Sequence, residues 1–239
     1  MVEPLLNIHD LDSYYGKSHI IHNLSLQVGY CECVAILGRN GMGKTTLLRS
    51  ILGLKLVTRN GSIRFNGEEL MAKKTYEIAR KGVGYIPQGW QLFPSLSVDE
   101  HLDFAYRSSC GNSGYIWTAD AVYDLFPELA ERKQINGTKL SGGEQQMLAI
   151  GRALVTNPTL ILMDEPSEGL APNIIQRVIE VCKHMADKGV SLLLIEQNLE
   201  IAKAIAKRVY IMSSGYIAYE ASMKDFAADR KLQHRYLGV

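Results

Sequence analysis

The sequence predicts an α/β fold with a mixed β-sheet core, an antiparallel strand region near its start and a helical segment inserted before the core resumes. Three observations predict it. Gly38-Arg39-Asn40-Gly41-Met42-Gly43-Lys44-Thr45 matches the phosphate-binding pattern G-x-x-x-x-G-K-[ST] at every fixed position. It sits between an apolar run at residues 33–37 and a helix-like run at 46–52 that stops at Gly53. The later apolar runs at 160–163 and 190–195 alternate with segments of helical spacing, as in a sheet covered on both faces. Strand character lapses between residues 97 and 140.

In chain order, residues 5–11 read as a strand and Tyr14-Tyr15-Gly16-Lys17 as a turn. Residues 24–28 alternate apolar and polar, a half-buried strand, and Gly29 leads into the loop-bearing strand. Residues 62–66 alternate again and end at Asn66-Gly67, a hairpin signal. Residues 82–87 form a short strand that Pro87 ends, because proline has no N–H to donate. Gln88 then opens a loop that runs to Phe93-Pro94. Ser97-Val-Asp-Glu100 is a capping-box start to a helix, residues 119–135 are helical but broken by Pro127, and Ser108–Tyr115 is a polar surface loop. The core returns with a helix after Ser141, whose apolar face carries Met147, Leu148, Leu154 and Val155. A strand at 160–163 ends in Asp164-Glu165, a helix spans 174–185, a strand runs from Val190 to Ile195, and a helix covers 198–206. Residues 209–212 and 216–219 pair as a hairpin, and the charged last twenty residues are helical. This gives one domain over residues 1–239, with the α/β core in 1–94 and 141–239 and the helical subdomain in 95–140.

Composition excludes several classes. Of 239 residues, 46% are hydrophobic and 21% charged, an ordinary globular balance. A net charge of +1 argues against a nucleic-acid-binding surface. No run approaches the ~20 apolar residues of a membrane span, and the N-terminus lacks an export pattern, so the expected location is cytosolic. The four cysteines, Cys31, Cys33, Cys110 and Cys182, form no C-x-x-C pair, which argues against zinc and dithiol chemistry and for reduced, mostly packed thiols.

The chemistry begins in the glycine loop. Glycines let the backbone curl so that successive N–H groups point at phosphate oxygens, and the helix N-terminus adds partial positive charge. Lys44 can reach the β- and γ-phosphates, and the Thr45 hydroxyl can ligate magnesium. Asp164, an acid after four apolar residues, falls at the carboxyl edge of a strand, where it can hold a magnesium-bound water. Glu165 follows and can act as general base toward water. Ser141-Gly142-Gly143-Glu144 opens a helix whose N-terminus can bind a further phosphate group, although a lone Ser-Gly-Gly-Glu also serves as a plain helix cap.

Leu140-Ser141-Gly142-Gly143-Glu144-Gln145 followed by Asp164-Glu165-Pro166 resembles the ATP-binding-cassette family across essentially the whole chain. The resemblance implies ATP hydrolysis with magnesium. It also implies a dimer in which the signature segment of one cassette, Ser141 to Glu144 here, closes over ATP held by the phosphate loop of the other. Asn40, Gly41, Gly43, Lys44, Thr45 and Thr46 then lie nearest the nucleotide. Tyr15 resembles the aromatic that stacks on adenine, with Tyr14 as its rival. Gln88 resembles the glutamine that touches magnesium and senses the membrane partner. Ser167 to Ala171 resembles the loop across the dimer interface, with Ala171 where the family usually has aspartate.

A second departure concerns catalysis. The family usually places a histidine after the last core strand to bond the γ-phosphate, and Gln197 stands there instead. An amide donates a hydrogen bond but carries no positive charge. Either Gln197 does this work more weakly or turnover is slow. Taken together, Gly-Arg-Asn-Gly-Met-Gly-Lys-Thr-Thr, Asp-Glu-Pro-Ser-Glu-Gly-Leu-Ala-Pro and Glu-Gln-Asn resemble one subfamily. It comprises the second ATPase of importers for branched-chain amino acids and of related importers for urea, amides and aromatic acids. This implies a second cassette of the same or a different chain, transmembrane permease subunits and, indirectly, a solute-binding protein, with no nucleic acid. The implied place is cytoplasmic, peripheral on the inner face of the cell membrane. A non-transport cassette ATPase is the alternative from another class.

Overall fold

Strand β1 (Leu6–Tyr15) pairs antiparallel with β2 (Ser18–Val28), and the chain turns at Gly16 and Lys17. The structure, a computed structural model, describes residues 3–108 and 115–238. Both strands are longer than their alternation predicts, and Tyr14 and Tyr15 belong to β1 rather than to the turn. The cause is local. Asp10 and Asn23 take left-handed backbone angles, with φ of 48° and 47°, and the β1–β2 register shifts along its length. Such bulges break the period-2 signal that identifies a strand in sequence.

Strand β3 (Cys33–Leu37) is wholly buried and leads through the glycine loop into helix α1 (Lys44–Ile51). Strand β4 (Thr58–Phe65) starts four residues before its alternation does and pairs with β1, and the short β5 (Glu68–Glu69) closes the hairpin signalled by Asn66-Gly67. Helix α2 (Thr75–Arg80) has no counterpart in the sequence reading. It buries only Ile78, so it leaves no apolar period to find. Strand β6 (Val83–Ile86) ends before Pro87.

The insert carries α3 (Val98–Ala105), α4 (Ala119–Leu125) and α5 (Pro127–Ala130), with the Ser97–Glu100 capping box made and Pro127 at the first turn of α5. Most of the expected Ser108–Tyr115 surface loop lies outside the described residues. Helix α6 (Gly142–Leu154) packs against the insert so closely that a Cβ on Gly151 would stand 2.7 Å from Val122. The insert and α6 thus share one core. Strand β7 (Leu160–Asp164), helix α7 (Pro172–Asp187), strand β8 (Ser191–Glu196) and helix α8 (Leu199–Ile205) follow. The hairpin of β9 (Arg208–Ser213) and β10 (Tyr216–Ser222) and the helices α9 (Met223–Ala228) and α10 (Arg230–Leu237) complete the chain.

The strands make two sheets. One is four-stranded and antiparallel in the order β2-β1-β4-β5. The other is six-stranded in the order β10-β9-β3-β8-β7-β6, parallel except for β10 at its edge. Alternate residues explain why β3 and β8 read as unbroken apolar runs. Val34, Ile36, Leu193 and Ile195 pack toward α1 and the antiparallel sheet. Ala35 and Leu37 pack toward α8 and α9, and Leu192 and Leu194 toward α6 and α7. Strands buried on both faces need no polar alternation. Cys33 and Cys182 are buried free thiols and Cys31 is exposed, whereas Cys110 lies outside the described residues. No helix among the described residues is long and apolar enough to cross a membrane.

Candidate functional site

The central position of β3, between β8 and β9, delivers the glycine loop to the carboxyl edge of the parallel sheet. At Gly38 the end of β9 presses on the loop, and a Cβ there would meet the Met212 carbonyl oxygen at 2.4 Å. Gly43 has a φ of 101° and is the N-cap of α1, a conformation that side chains rarely adopt. No side chain caps α1, so its first amides stay available to an anion. Asn40 and Gly41 are exposed at the loop's crest, and Thr46 is buried beneath it. Lys44 is 4% exposed. Its Nζ donates to the carbonyls of Gly38 at 2.8 Å and Arg39 at 3.1 Å and pairs with Glu165 Oε1 at 3.3 Å.

Asp164 ends β7 at 1% exposure. Burial pushes its carboxyl above the usual range, and the hydrogen bond from Thr45 pulls against that shift. Thr45 Oγ1 donates to Oδ1 at 3.1 Å, and the Tyr85 hydroxyl donates to Oδ2 at 3.4 Å. A hydroxyl and a carboxylate side by side are an oxygen-only donor pair. That suits magnesium, which takes few protein ligands and keeps its other positions for water and phosphate. Among the described residues, no group of three His, Cys, Asp or Glu residues makes a metal site from protein alone. Glu165 has a φ of 48°, and its N–H donates to Ile195 O at 3.0 Å. This left-handed turn lets Glu165 reach Lys44 while Asp164 stays under Thr45. Gln197 Nε2 donates to Glu165 Oε2 at 2.6 Å, so the residue in the histidine position is bonded to the expected base.

The structure brings Lys44, Thr45, Asp164, Glu165 and Gln197 together and leaves other expected residues at a distance. Gln88 is exposed and donates to Glu168, with no hydrogen bond to Thr45 or Asp164 among the described residues. Tyr15 lies on the α1 side of β1, and its hydroxyl accepts a 3.0 Å bond from Arg49. Ser13, two residues earlier on that side, bonds Ser50 of α1 at 2.7 Å. Tyr14 faces away and stacks on His19 at 4.2 Å. Ser141 and Glu144 form a reciprocal cap on α6: Ser141 N donates to Glu144 at 2.8 Å, and Ser141 Oγ accepts from Glu144 N at 3.4 Å. Glu144 also pairs with Arg132 at 2.9 Å. Gly142 lies under Trp90 and Gly143 against Ile174, where a Cβ would come within 2.8 Å. No hydrogen bond between described residues links this helix end to the Lys44 cluster.

Sequence reasoning missed Arg49 and Tyr85, named Ser167 only as the start of the dimer-interface loop, and gave Glu196 no role. Arg49 stands one helical turn after Thr45, a spacing that signals a shared face. Glu196 ends an apolar strand as Asp164 does, and that same signal could have found it. Arg152 was also missed. It donates from α6 to the carbonyls of Gln91 at 2.8 Å and Trp90 at 3.1 Å, which anchors the loop after Gln88 to the signature helix.

Known proteins resemble this chain along most of its length. A family model described as ABC transporter matches residues 21–168. The chain is 39% identical to the high-affinity branched-chain amino acid transport ATP-binding protein BraG of Pseudomonas aeruginosa, over 98% of this chain and 100% of that protein. It is 31% identical to the lipopolysaccharide export system ATP-binding protein LptB of Escherichia coli, over 98% of this chain and 97% of that one. A solved ATP-binding cassette of an ABC transporter superposes with a TM-score of 0.82 at 25% identity, covering 97% of this chain and 98% of that one. With the family model spanning more than half of its length and relatives matching it from end to end, the chain belongs to the ABC transporter family, as an ATP-binding and ATP-hydrolysing subunit.

Proposed function

We propose that this subunit energises an importer of branched-chain and other hydrophobic amino acids, acting as one of two facing cassettes beneath a transmembrane permease on the inner face of the cell membrane. The observation that carries the hydrolytic part is the convergence of Lys44 and Gln197 on Glu165, at 3.3 and 2.6 Å, beside the Thr45–Asp164 pair. Full-length similarity to BraG and the Glu196-Gln197-Asn198 triplet support the solute class.

In this reading the α1 amides and Lys44 neutralise the β- and γ-phosphates. Glu165 accepts a proton from the attacking water as the oxygen–phosphorus bond forms and the bond to the ADP oxygen breaks. Gln197 holds the Glu165 carboxylate toward that water. Thr45 and Asp164 would hold magnesium, with Gln88 able to join them only once it leaves Glu168, and the ion would supply further charge neutralisation at the phosphate oxygens. Tyr15 stacks on adenine. The second nucleotide face is the Ser141–Glu144 helix end, turned toward the partner cassette's ATP. Its separation from the Lys44 cluster within one chain favours a two-chain site.

A groove of about 600 Å³ beside the Gln88 loop supports the permease contact. Tyr76, Arg80, Phe93, Phe104, Arg107 and Arg152 line it, and Phe104 is 66% exposed. The test is co-expression with the permease subunits of a branched-chain amino-acid importer, followed by reconstitution in liposomes with that importer's solute-binding protein. ATP-dependent leucine uptake is expected. Uptake of urea or an aromatic acid instead would move the solute to the related importers, and co-purification with ribosomes or DNA without a permease would sink the transport reading.

Gln197→His is expected to preserve or raise turnover. A neutral imidazole can make the same bond to Glu165, and a protonated one adds positive charge near the phosphates. Because histidine titrates near pH 6.5, the variant should gain an inflection near that value in its kcat profile that the wild type lacks. A loss of turnover beyond tenfold across the whole pH range would show that the amide has a role that imidazole cannot fill.

A further inference from the structure

Glu196 ends β8 at 2% exposure. A carboxylate this deep is costly unless its oxygens are satisfied, and here they are. Oε1 accepts from Ser167 Oγ at 2.6 Å, and Oε2 accepts from the backbone N–H of Gln197 at 3.1 Å and of Asn198 at 3.4 Å. Burial pushes the Glu196 carboxyl above the usual range, and these hydrogen bonds oppose that shift.

The partners matter more than the burial. Ser167 lies two residues after Glu165, and Gln197 is the residue that bonds Glu165 at 2.6 Å. The Glu165 N–H is itself bonded to Ile195 at 3.0 Å. Two chain segments, 165–168 and 195–198, therefore close a ring with Glu196 as its only buried charge. The next residue, Glu168, holds Gln88, so the same segment also reaches the loop that borders the groove. Without the Glu196 carboxylate, Ser167 and the turn at Gln197 lose their common anchor, and the base and its amide partner are free to drift apart.

We propose that Glu196 is a positioning residue for ATP hydrolysis, holding the Glu165 segment and the Gln197 turn in register through Ser167; the inference rests on the reading of Glu165 as the base. It assigns Glu196 no contact with nucleotide, so binding should survive its loss. A misplaced base, in contrast, loses rate steeply, since about 1 Å of displacement can cost about a hundredfold.

The test compares wild type, Glu196→Gln, Ser167→Ala, the double variant and Glu165→Gln as full-length chains, each assembled with the partners with which it co-purifies. Steady-state kcat and KM for ATP and the thermal midpoint are measured for each. Glu196→Gln is expected to lower kcat at least about tenfold with KM within twofold and a near-native thermal midpoint. Ser167→Ala should lower kcat less, and the double variant should match Glu196→Gln, because both act through one bond. If Glu196→Gln fails to fold, Ser167→Ala leaves the carboxylate in place and is still expected to lower kcat at constant KM. Wild-type kcat in both single variants, a rise in KM at constant kcat, or independent multiplication of the two losses would overturn the inference. If Glu165→Gln is inert while Glu196→Gln keeps full rate, only this inference falls; if Glu165→Gln keeps full rate, the reading of the base falls with it.

Discussion

Lys44→Ala is expected to abolish measurable ATP binding, with affinity falling about a hundred- to a thousandfold. Lys44 is buried and its ammonium is spent on two loop carbonyls and on Glu165. Removing one partner of a buried ion pair costs about 3–5 kcal/mol, because the remaining charge stays desolvated and unpaired. Here the remaining charge is the Glu165 carboxylate, and it would face incoming phosphates of the same sign. That cost falls on the fold; the loss of the ammonium's own pairing with the phosphates, about 3–4 kcal/mol for a buried charge pair made on binding, corresponds at about 1.4 kcal/mol per tenfold to two to three orders of magnitude in affinity. Titration of the folded variant with a fluorescent ATP analogue, with circular dichroism as the check on folding, gives the answer. Affinity within tenfold of wild type would contradict the assignment of the glycine loop.

Glu165→Gln should separate binding from turnover. The amide keeps the size of the side chain and can adopt the same left-handed backbone, but it cannot accept a proton from water. Loss of a general base lowers rate by about a hundred- to ten-thousandfold. ATP affinity should hold or rise, because a negative charge next to Lys44 disappears while the loop amides and Lys44 remain. Steady-state hydrolysis together with equilibrium nucleotide binding measures both quantities. Turnover within threefold of wild type would remove Glu165 as the base and leave Asp164 as the other carboxylate of the cluster.

The parts of this protein legible in its sequence are those whose chemistry is contiguous. The glycine loop, the Asp164-Glu165 pair after its apolar strand and the Ser97 and Ser141 capping boxes each need only a few successive residues. A strand-loop-helix unit carries its own instructions: glycine where φ is positive, apolar residues where the strand is buried on both faces, and a hydroxyl and a carboxylate placed to cap each other. Gln197 could likewise be placed directly after β8 from the sequence around it.

Elsewhere the local signal was too weak or pointed elsewhere. The bulges at Asp10 and Asn23 hid most of β2 and the end of β1, so which tyrosine faces α1 was open until the register was known. Ser13 and Tyr15 share that side because the strand continues through both, and this turns Tyr14 away.

By itself the sequence determined a phosphate-gripping loop, an acidic strand edge and a helical insert, and with them the class of chemistry. Only the tertiary structure decided which side chains meet across strand ends: Gln197 on Glu165, Glu196 on Ser167, Gln88 on Glu168 and Arg152 on the Trp90 turn. The physical reason is distance along the chain. Each of these contacts joins residues about 30 to 80 positions apart, and it exists because parallel strands set their carboxyl edges side by side or because α6 packs on the loop after β6. No local preference of either residue encodes such a meeting.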